Sequence, residues 1–155
     1  MKNLMKKTGL FALLFLLLMA LTSCVAADDY ASSTVVTNLD ADGSYTSAED
    51  VSAYLIAYGQ LPSNFITKSE AKSLGWSGGS LEPYAPGKCI GGDKFGNYES
   101  LLPEKDGRRY YECDIDTLEK DSRGAKRLVF SNDGLIYYTS DHYETFELLY
   151  GEDES

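Results

Sequence analysis

The sequence predicts an α+β domain, with N-terminal helices packed on an antiparallel β-sheet of about five strands. Three observations carry this. Apolar residues recur at helical spacing only between Val51 and Leu74. Five β-rich runs then follow one another from Lys88 to Leu149. Two of those runs are separated by Asn132-Asp133-Gly134, a hairpin signal, because Asp-Gly readily adopts the positive φ angles of a type I′ turn. Helices collected before strands, rather than alternating with them, favour a sheet covered by a helix on one face.

The chain opens on an address. Lys2, Lys6 and Lys7 precede an unbroken apolar run of 12 residues, Leu10 to Leu21. That is short of the roughly 20 residues a membrane span needs, and it has the length and flanks of a secretory signal. Leu21-Thr22-Ser23-Cys24 resembles a bacterial lipobox, which implies a lipoprotein signal peptide over 1–23, cleavage before Cys24 and lipidation of Cys24. The alternative is an ordinary signal peptide cut near Ala26 or Ala27. Residues 24–44, rich in Ala, Ser, Thr and Asp, read as a flexible tether; an edge strand over Thr34-Val35-Val36 is the other reading. Residues 45–150 form one domain of 106 residues, and 151–155 an acidic tail.

Within the domain the elements follow in order. Thr46 with Glu49, and Ser47 with Asp50, offer overlapping caps for a first helix. Val51, Tyr54, Leu55 and Tyr58 give its apolar spacing, Gly59 suits its C-terminus and Pro62 prevents continuation. Thr67 and Glu70 cap a second helix that passes Ala71 and Leu74 and stops at Gly75. A short helix is expected near Leu81 to Tyr84. The expected strands are Lys88–Gly92, Arg109–Ile115, Arg127–Ser131, Leu135–Thr139 and Thr145–Leu149.

Charge argues against a polyanionic partner. The chain has 14 basic and 24 acidic side chains, net −10. Cleavage before Cys24 removes three lysines and no acid, leaving −13. The domain alone carries 11 basic and 17 acidic groups, net −6, so long-range steering of nucleic acid is weak or unfavourable. Local cations can still bind a single phosphate.

Against that stands an ordered set of short motifs. Leu61-Pro62-Ser63-Asn64-Phe65-Ile66-Thr67-Lys68-Ser69-Glu70-Ala71, Leu74-Gly75-Trp76, Ala85-Pro86-Gly87-Lys88 and Ile90-Gly91-Gly92-Asp93 come first. Phe95-Gly96-Asn97, Leu102-Pro103, Gly107-Arg108, Glu112, Asp114-Ile115, Arg123, Arg127 and Ser131 follow, then Leu135-Ile136-Tyr137 and Thr139-Ser140-Asp141-His142-Tyr143. In this order and with near-constant gaps they resemble the barnase-type, guanyl-specific extracellular ribonucleases of microbes over about Ser47 to Phe146. The resemblance implies the microbial ribonuclease fold. It also implies cleavage of single-stranded RNA 3′ to guanosine by transesterification through a 2′,3′-cyclic phosphate, without metal or cofactor. Carried over residue by residue, Glu112 is the general base and His142, the only histidine, the general acid; Arg123, Arg127 and Lys68 surround the phosphate.

The chemistry is sound apart from the family. A glutamate beside cations accepts a proton, and an imidazolium beside a phosphate donates one. Arginine's planar fork pairs phosphate oxygens and stays protonated. The same two arginines are expected to pair with Asp114. Each residue alone has a plainer reading: Glu112 as a solvated strand residue, Lys68 as a solvent-exposed side chain.

The resemblance places the guanine-reading loop at Phe95-Gly96-Asn97-Tyr98-Glu99. Glu99 would accept from the two donors on guanine, Asn97 would keep the bend, Tyr143 would stack from the other side, and Phe95 belongs to the core. The chain departs from the family's serine and arginine at Gly96 and Tyr98. Gly96 is expected to loosen the loop; Tyr98 removes a charge and offers a stacking face. The family's partners include an acidic barstar-like inhibitor, which would meet less attraction here.

Cys89 and Cys113 fall in an expected antiparallel pair. A cross-strand disulfide needs Cα atoms about 4.4–6.8 Å apart and would add on the order of 3 kcal/mol by closing a loop of roughly 25 residues; the alternative is two buried thiols. The expected protein is thus a monomeric, exported, membrane-anchored ribonuclease binding single-stranded RNA. The competing reading is a catalytically weak or inactive lipoprotein that uses the same fold as a binding module.

Overall fold

The computed structural model describes residues 39–152. The signal segment, Cys24, the Thr34-Val35-Val36 stretch and the last three residues lie outside the described residues. Within them the elements run α1 (Ala48–Tyr58), β1 (Phe65–Ile66), α2 (Lys68–Ser73), β2 (Cys89–Phe95), β3 (Tyr110–Asp114), β4 (Arg127–Ser131), β5 (Ile136–Thr139) and β6 (Glu147–Tyr150). The strands make one sheet in the order β1-β2-β3-β4-β5-β6, with only the β1–β2 pair parallel. The architecture is α+β with six strands, one more than expected. The additional strand, β1, is two residues long and too short to show a period of two.

Local chemistry sets the helix ends. Ser47, not Thr46, is the N-cap of α1, its hydroxyl accepting from the Asp50 amide at 3.1 Å. Gly59 closes α1 at φ 68°. Thr67 and Glu70 form a full capping box on α2. Leu81 to Tyr84 is not a helix but a single turn, closed by bonds from the Tyr84 and Ala85 amides to Leu81 O. Pro83 and Pro86 lack the donors that would extend it.

The hairpin between β4 and β5 is present, but its turn is not type I′: Gly134 alone of Asn132, Asp133 and Gly134 has positive φ, at 102°. The Ser131 amide bonds Leu135 O at 2.8 Å, which closes a three-residue loop with glycine at its left-handed position. Leu39 to Ser44, read from sequence as the end of the tether, are held against α1 by Tyr58 OH to Leu39 O (2.8 Å) and Tyr54 OH to Ala41 O (2.7 Å).

Alternation along the strands sorts the chemistry. On the α1 face, Val51, Leu55, Cys113, Ile115, Leu128 and Ile136 form the main core. The other face carries Leu102, Tyr110, Val129, Leu135 and Tyr137 as a second cluster. On that second face the same strands present Glu112 and Asp114 from β3, Arg127 from β4 and Thr139 from β5, all buried. A register irregularity at Gly91/Asp93, with Gly92 at φ 90°, brings Asp93 opposite Glu112.

Of the two readings left open by the sequence, the structure has the buried thiols: Cys89 and Cys113 are both free. The register explains it: Gly91 lies opposite Cys113 and leaves Cys89 two residues away along β2, a diagonal spacing of about 7–8 Å. Burial raises the pKa of both thiols, Cys113 most of all, which keeps them in the unreactive protonated form.

Candidate active site

The site grows from β3. Glu112 is 7% exposed, and both its oxygens accept: Lys68 Nζ donates to Oε1 and Tyr143 OH to Oε2. Lys68 opens α2 and turns its side chain to the sheet. Its own amide donates to Asp93 Oδ2 at 2.8 Å, so a carboxylate from β2 supplies the negative charge that the helix start favours. The first-turn lysine, unfavourable for the helix dipole, is spent on Glu112. A carboxylate offers about four lone-pair sites, so Glu112 can still accept from a further donor.

One cross-strand step away, Asp114 faces Arg127 in the β3–β4 register. Asp114 is 1% and Arg127 2% exposed. Arg123 grips the carboxylate with Nε to Oδ2 at 2.6 Å and Nη2 to Oδ1 at 2.7 Å. Arg127 Nε lies 2.9 Å from Oδ1 as an ion pair but is not aligned to hydrogen-bond it; its Nη1 donates to Lys126 O at 2.7 Å and to Arg123 O at 3.2 Å. Trp76 covers the Arg123 guanidinium at 5.6 Å. Burial works to lower the Arg123 pKa, but its bonds to Asp114 and the nearby charges of Tyr143 and Glu112 raise it overall. One carboxylate thereby fixes two permanent cations, as expected from sequence. Arg123 stays partly open, with 22% of its side chain exposed.

Tyr143 ties these parts to His142. Burial and its bond to Glu112 push its phenol well up, and Arg127 opposes that shift from close by. The Tyr143 ring packs at 5.2 Å from Phe95 and 4.7 Å from the His142 ring. It was expected as a base-stacking face; it also proves to be a donor to Glu112, which the sequence did not signal. Phe95 belongs to the apolar cluster as expected.

His142 is exposed, and both it (φ 59°) and Tyr143 (φ 77°) adopt left-handed backbone. Two such side-chain-bearing residues in succession are costly unless the surroundings hold them. Asp141 does so: it accepts from Thr139 Oγ1 (2.8 Å), Thr145 N (3.0 Å) and Thr145 Oγ1 (2.6 Å), while the Tyr143 amide donates to Thr139 Oγ1 (3.0 Å). These bonds, Thr145's first, lower the Asp141 pKa to about 2. Sequence reading passed over this frame; the signal was the hydroxyl–acid spacing of Thr139, Asp141 and Thr145 around the lone histidine.

The loop after β2 is rigid by construction. Asn97, at φ 45°, spends its amide on Leu102, donating to its carbonyl at 2.9 Å and accepting from its N–H at 3.0 Å. Its side chain therefore builds the bend rather than reading a base. Gly96 leaves room for the Tyr98 ring: its φ is not positive, and a Cβ there would fall 2.3–2.8 Å from that ring. The glycine lets that ring lie across the loop, 92% exposed. Glu99 is exposed and has no hydrogen-bond or ion-pair partner among the described residues.

A sequence profile described as ribonuclease matches residues 48–150. The chain belongs to the ribonuclease family. A ribonuclease of Heyndrickxia coagulans is 53% identical over 100 residues, which cover 63% of this chain and 91% of that protein. A ribonuclease of Bacillus intermedius is also 53% identical over 100 residues, covering 61% of its length. The guanyl-specific ribonuclease St of Saccharopolyspora erythraea is 42% identical over 57 residues, or 37% of this chain and 56% of that protein. The matched residues of this ribonuclease run from the first residue of α1 to the last of β6, and so include every element that builds the site.

Proposed function

We propose that the protein is an exported endoribonuclease cleaving single-stranded RNA 3′ to guanosine, held at the membrane by a lipid on Cys24. The observation that carries the catalytic part is the buried Glu112, doubly held by Lys68 and Tyr143, on the sheet face that presents two arginines fixed by Asp114.

Glu112 takes the proton of the 2′-hydroxyl as that oxygen attacks phosphorus. The bond from phosphorus to the departing 5′ oxygen breaks, and His142 gives that oxygen a proton. In the second step His142 takes a proton from water, the hydroxide opens the cyclic phosphate, and Glu112 returns its proton to the 2′ oxygen. Lys68, Arg123 and Arg127 offset the charge that builds on the phosphoryl oxygens. Arg127 is too enclosed to move, so its contribution is preorganised rather than recruited.

Glu99 supports the guanine preference, as an unpartnered carboxylate on a loop fixed by Asn97. It selects a base edge with two donors, which adenine lacks. The purified protein should cleave GpA in preference to ApA in the presence of chelator. Glu99→Gln should lower kcat/KM for GpA by about 10–100-fold, the scale of one bidentate base contact, and leave ApA unchanged. Equal cleavage of both dinucleotides by the wild type would discard Glu99 as the reader. No cleavage of either would favour the binding-module reading, which the chain's acidity motivates.

For the anchor, Cys24→Ser should move the protein from the membrane fraction to the medium; no shift would discard lipidation. A barstar-like inhibitor would meet Tyr98 and a domain of net −6, so a cognate inhibitor should be less acidic than those of basic relatives.

A further inference from the structure

A cavity of about 460 Å³ is lined on one side by Phe95, Gly96, Asn97 and Tyr98 of the guanine-reading loop. Neither Glu99, Glu112, His142 nor Tyr143 lines it. Lys94, Lys105, Arg108 and Arg109 do, with Glu104 as its one acid. In a domain of net −6 this is a local reversal of charge.

The cations differ in what they already do. Arg108 is committed, its Nε to Asp133 at 2.9 Å and its Nη1 to Pro103 O at 3.1 Å. Glu104 accepts from Ser100 Oγ at 3.0 Å. The side chains of Lys94 and Arg109 are exposed and make no hydrogen bond or ion pair among the described residues. Lys94 is opposite Tyr111 in the β2–β3 register, and Arg109 precedes Tyr111 by two, so the two cations are diagonal neighbours on the α1 face, opposite to Glu112. The cavity reaches them around the Tyr110 end of the strands, where Phe95 and Tyr110 line it from the catalytic face. Like charges so placed repel, and nothing in the fold uses either. Tyr98 also lines the cavity, its ring laid over Gly96 and 92% exposed. Unpaired cations beside an exposed aromatic ring are the combination by which proteins hold single-stranded nucleic acid, through phosphates and one stacked base.

Position gives the direction of the strand. The phosphate cations lie at the Asp114 end of β3, and the cavity lies at the Tyr110 end, past the loop that carries Glu99. With guanosine between them, the nucleotides leaving toward the cavity are those on its 5′ side. We propose that Lys94, Arg109 and Tyr98 form a subsite for the RNA nucleotides 5′ to the guanosine; this rests on the ribonuclease reading above. The subsite offsets locally what the chain's acidity denies at long range.

The test compares GpA with the 5′-extended ApApGpA at low salt, for the wild type and for Lys94→Gln/Arg109→Gln. The wild type should favour the extended substrate about tenfold in kcat/KM, the sum of two modest surface ionic contacts. The double variant should lose that gain and cleave GpA as the wild type does. The salt slope of the advantage should fall by about 0.7 for each phosphate contact removed. Cleavage of GpA with no gain on extension, or a gain that survives the double variant, overturns the subsite. Binding of the 2′-deoxy analogues, which lack the nucleophile, separates the two readings if no substrate is cleaved. Weaker binding of the extended analogue by the double variant still supports the subsite, and equal binding sinks it. Competition by polyglutamate as strong as by the oligonucleotide would mark the surface as a dock for an acidic protein and also overturn the proposal.

Discussion

Replacing His142 with glutamine should lower kcat on GpA by about 10²–10⁴-fold, the scale of one general acid. Glu112→Gln should do the same through the base. The decisive reading is the pH profile rather than the size of the loss. A base and an acid working together give a pH–rate profile with two limbs. His142→Gln should erase the alkaline limb, and Glu112→Gln the acid limb. Both limbs surviving in either variant would remove that residue from proton transfer. The glutamine that replaces Glu112 keeps one oxygen to accept from Lys68 and turns an NH2 donor to the Tyr143 oxygen, so the loss reads chemistry rather than collapse of the buried pair.

The His142 loop should not itself distort that profile. The folded Asp141 pKa is depressed from 3.8 to about 2. Its stabilising effect on the loop is therefore complete above about pH 4 and lost only as pH falls toward 2. The frame that holds His142 and Tyr143 in left-handed backbone thus remains intact above about pH 4.

The sequence made the candidate site's residue types legible but not how they meet. Helix caps are local, so Ser47, Thr67 and Glu70 could be read within a turn of error. Strands β4 and β5 are β-rich enough to be placed, and Asp133-Gly134 marked their hairpin even though the turn type was wrong. Pairing register is not local. Nothing near Cys89 or Cys113 shows that Gly91 takes the place opposite Cys113, and that one offset removed the disulfide. Gly96 shows a related limit: glycine was read for backbone freedom, and the space that the Tyr98 ring fills over it is not visible in sequence. The hydroxyl of Tyr143 on Glu112 joins residues 31 apart in sequence, a contact no spacing rule reaches.

Asp114→Asn should be the most destabilising single change in the site. The carboxylate serves two arginines that answer its loss differently. Arg123 is partly open and can turn its charge to water. Arg127, 2% exposed, cannot. It would remain a buried guanidinium with main-chain carbonyl contacts but no counter-charge, a situation that costs about 3–5 kcal/mol. Urea unfolding should show this as a lower midpoint with an unchanged slope. Arg127→Met added to Asp114→Asn should recover much of the loss, because the stranded charge and not the missing bond is the main cost. Activity should behave oppositely: the double variant should stay as inactive as the single one or fall further, because a thioether in place of the guanidinium offers nothing to a phosphate. If stability and activity instead recover together, the Asp114 pair only holds the fold, and the phosphate must be met by Lys68 and Arg123 alone.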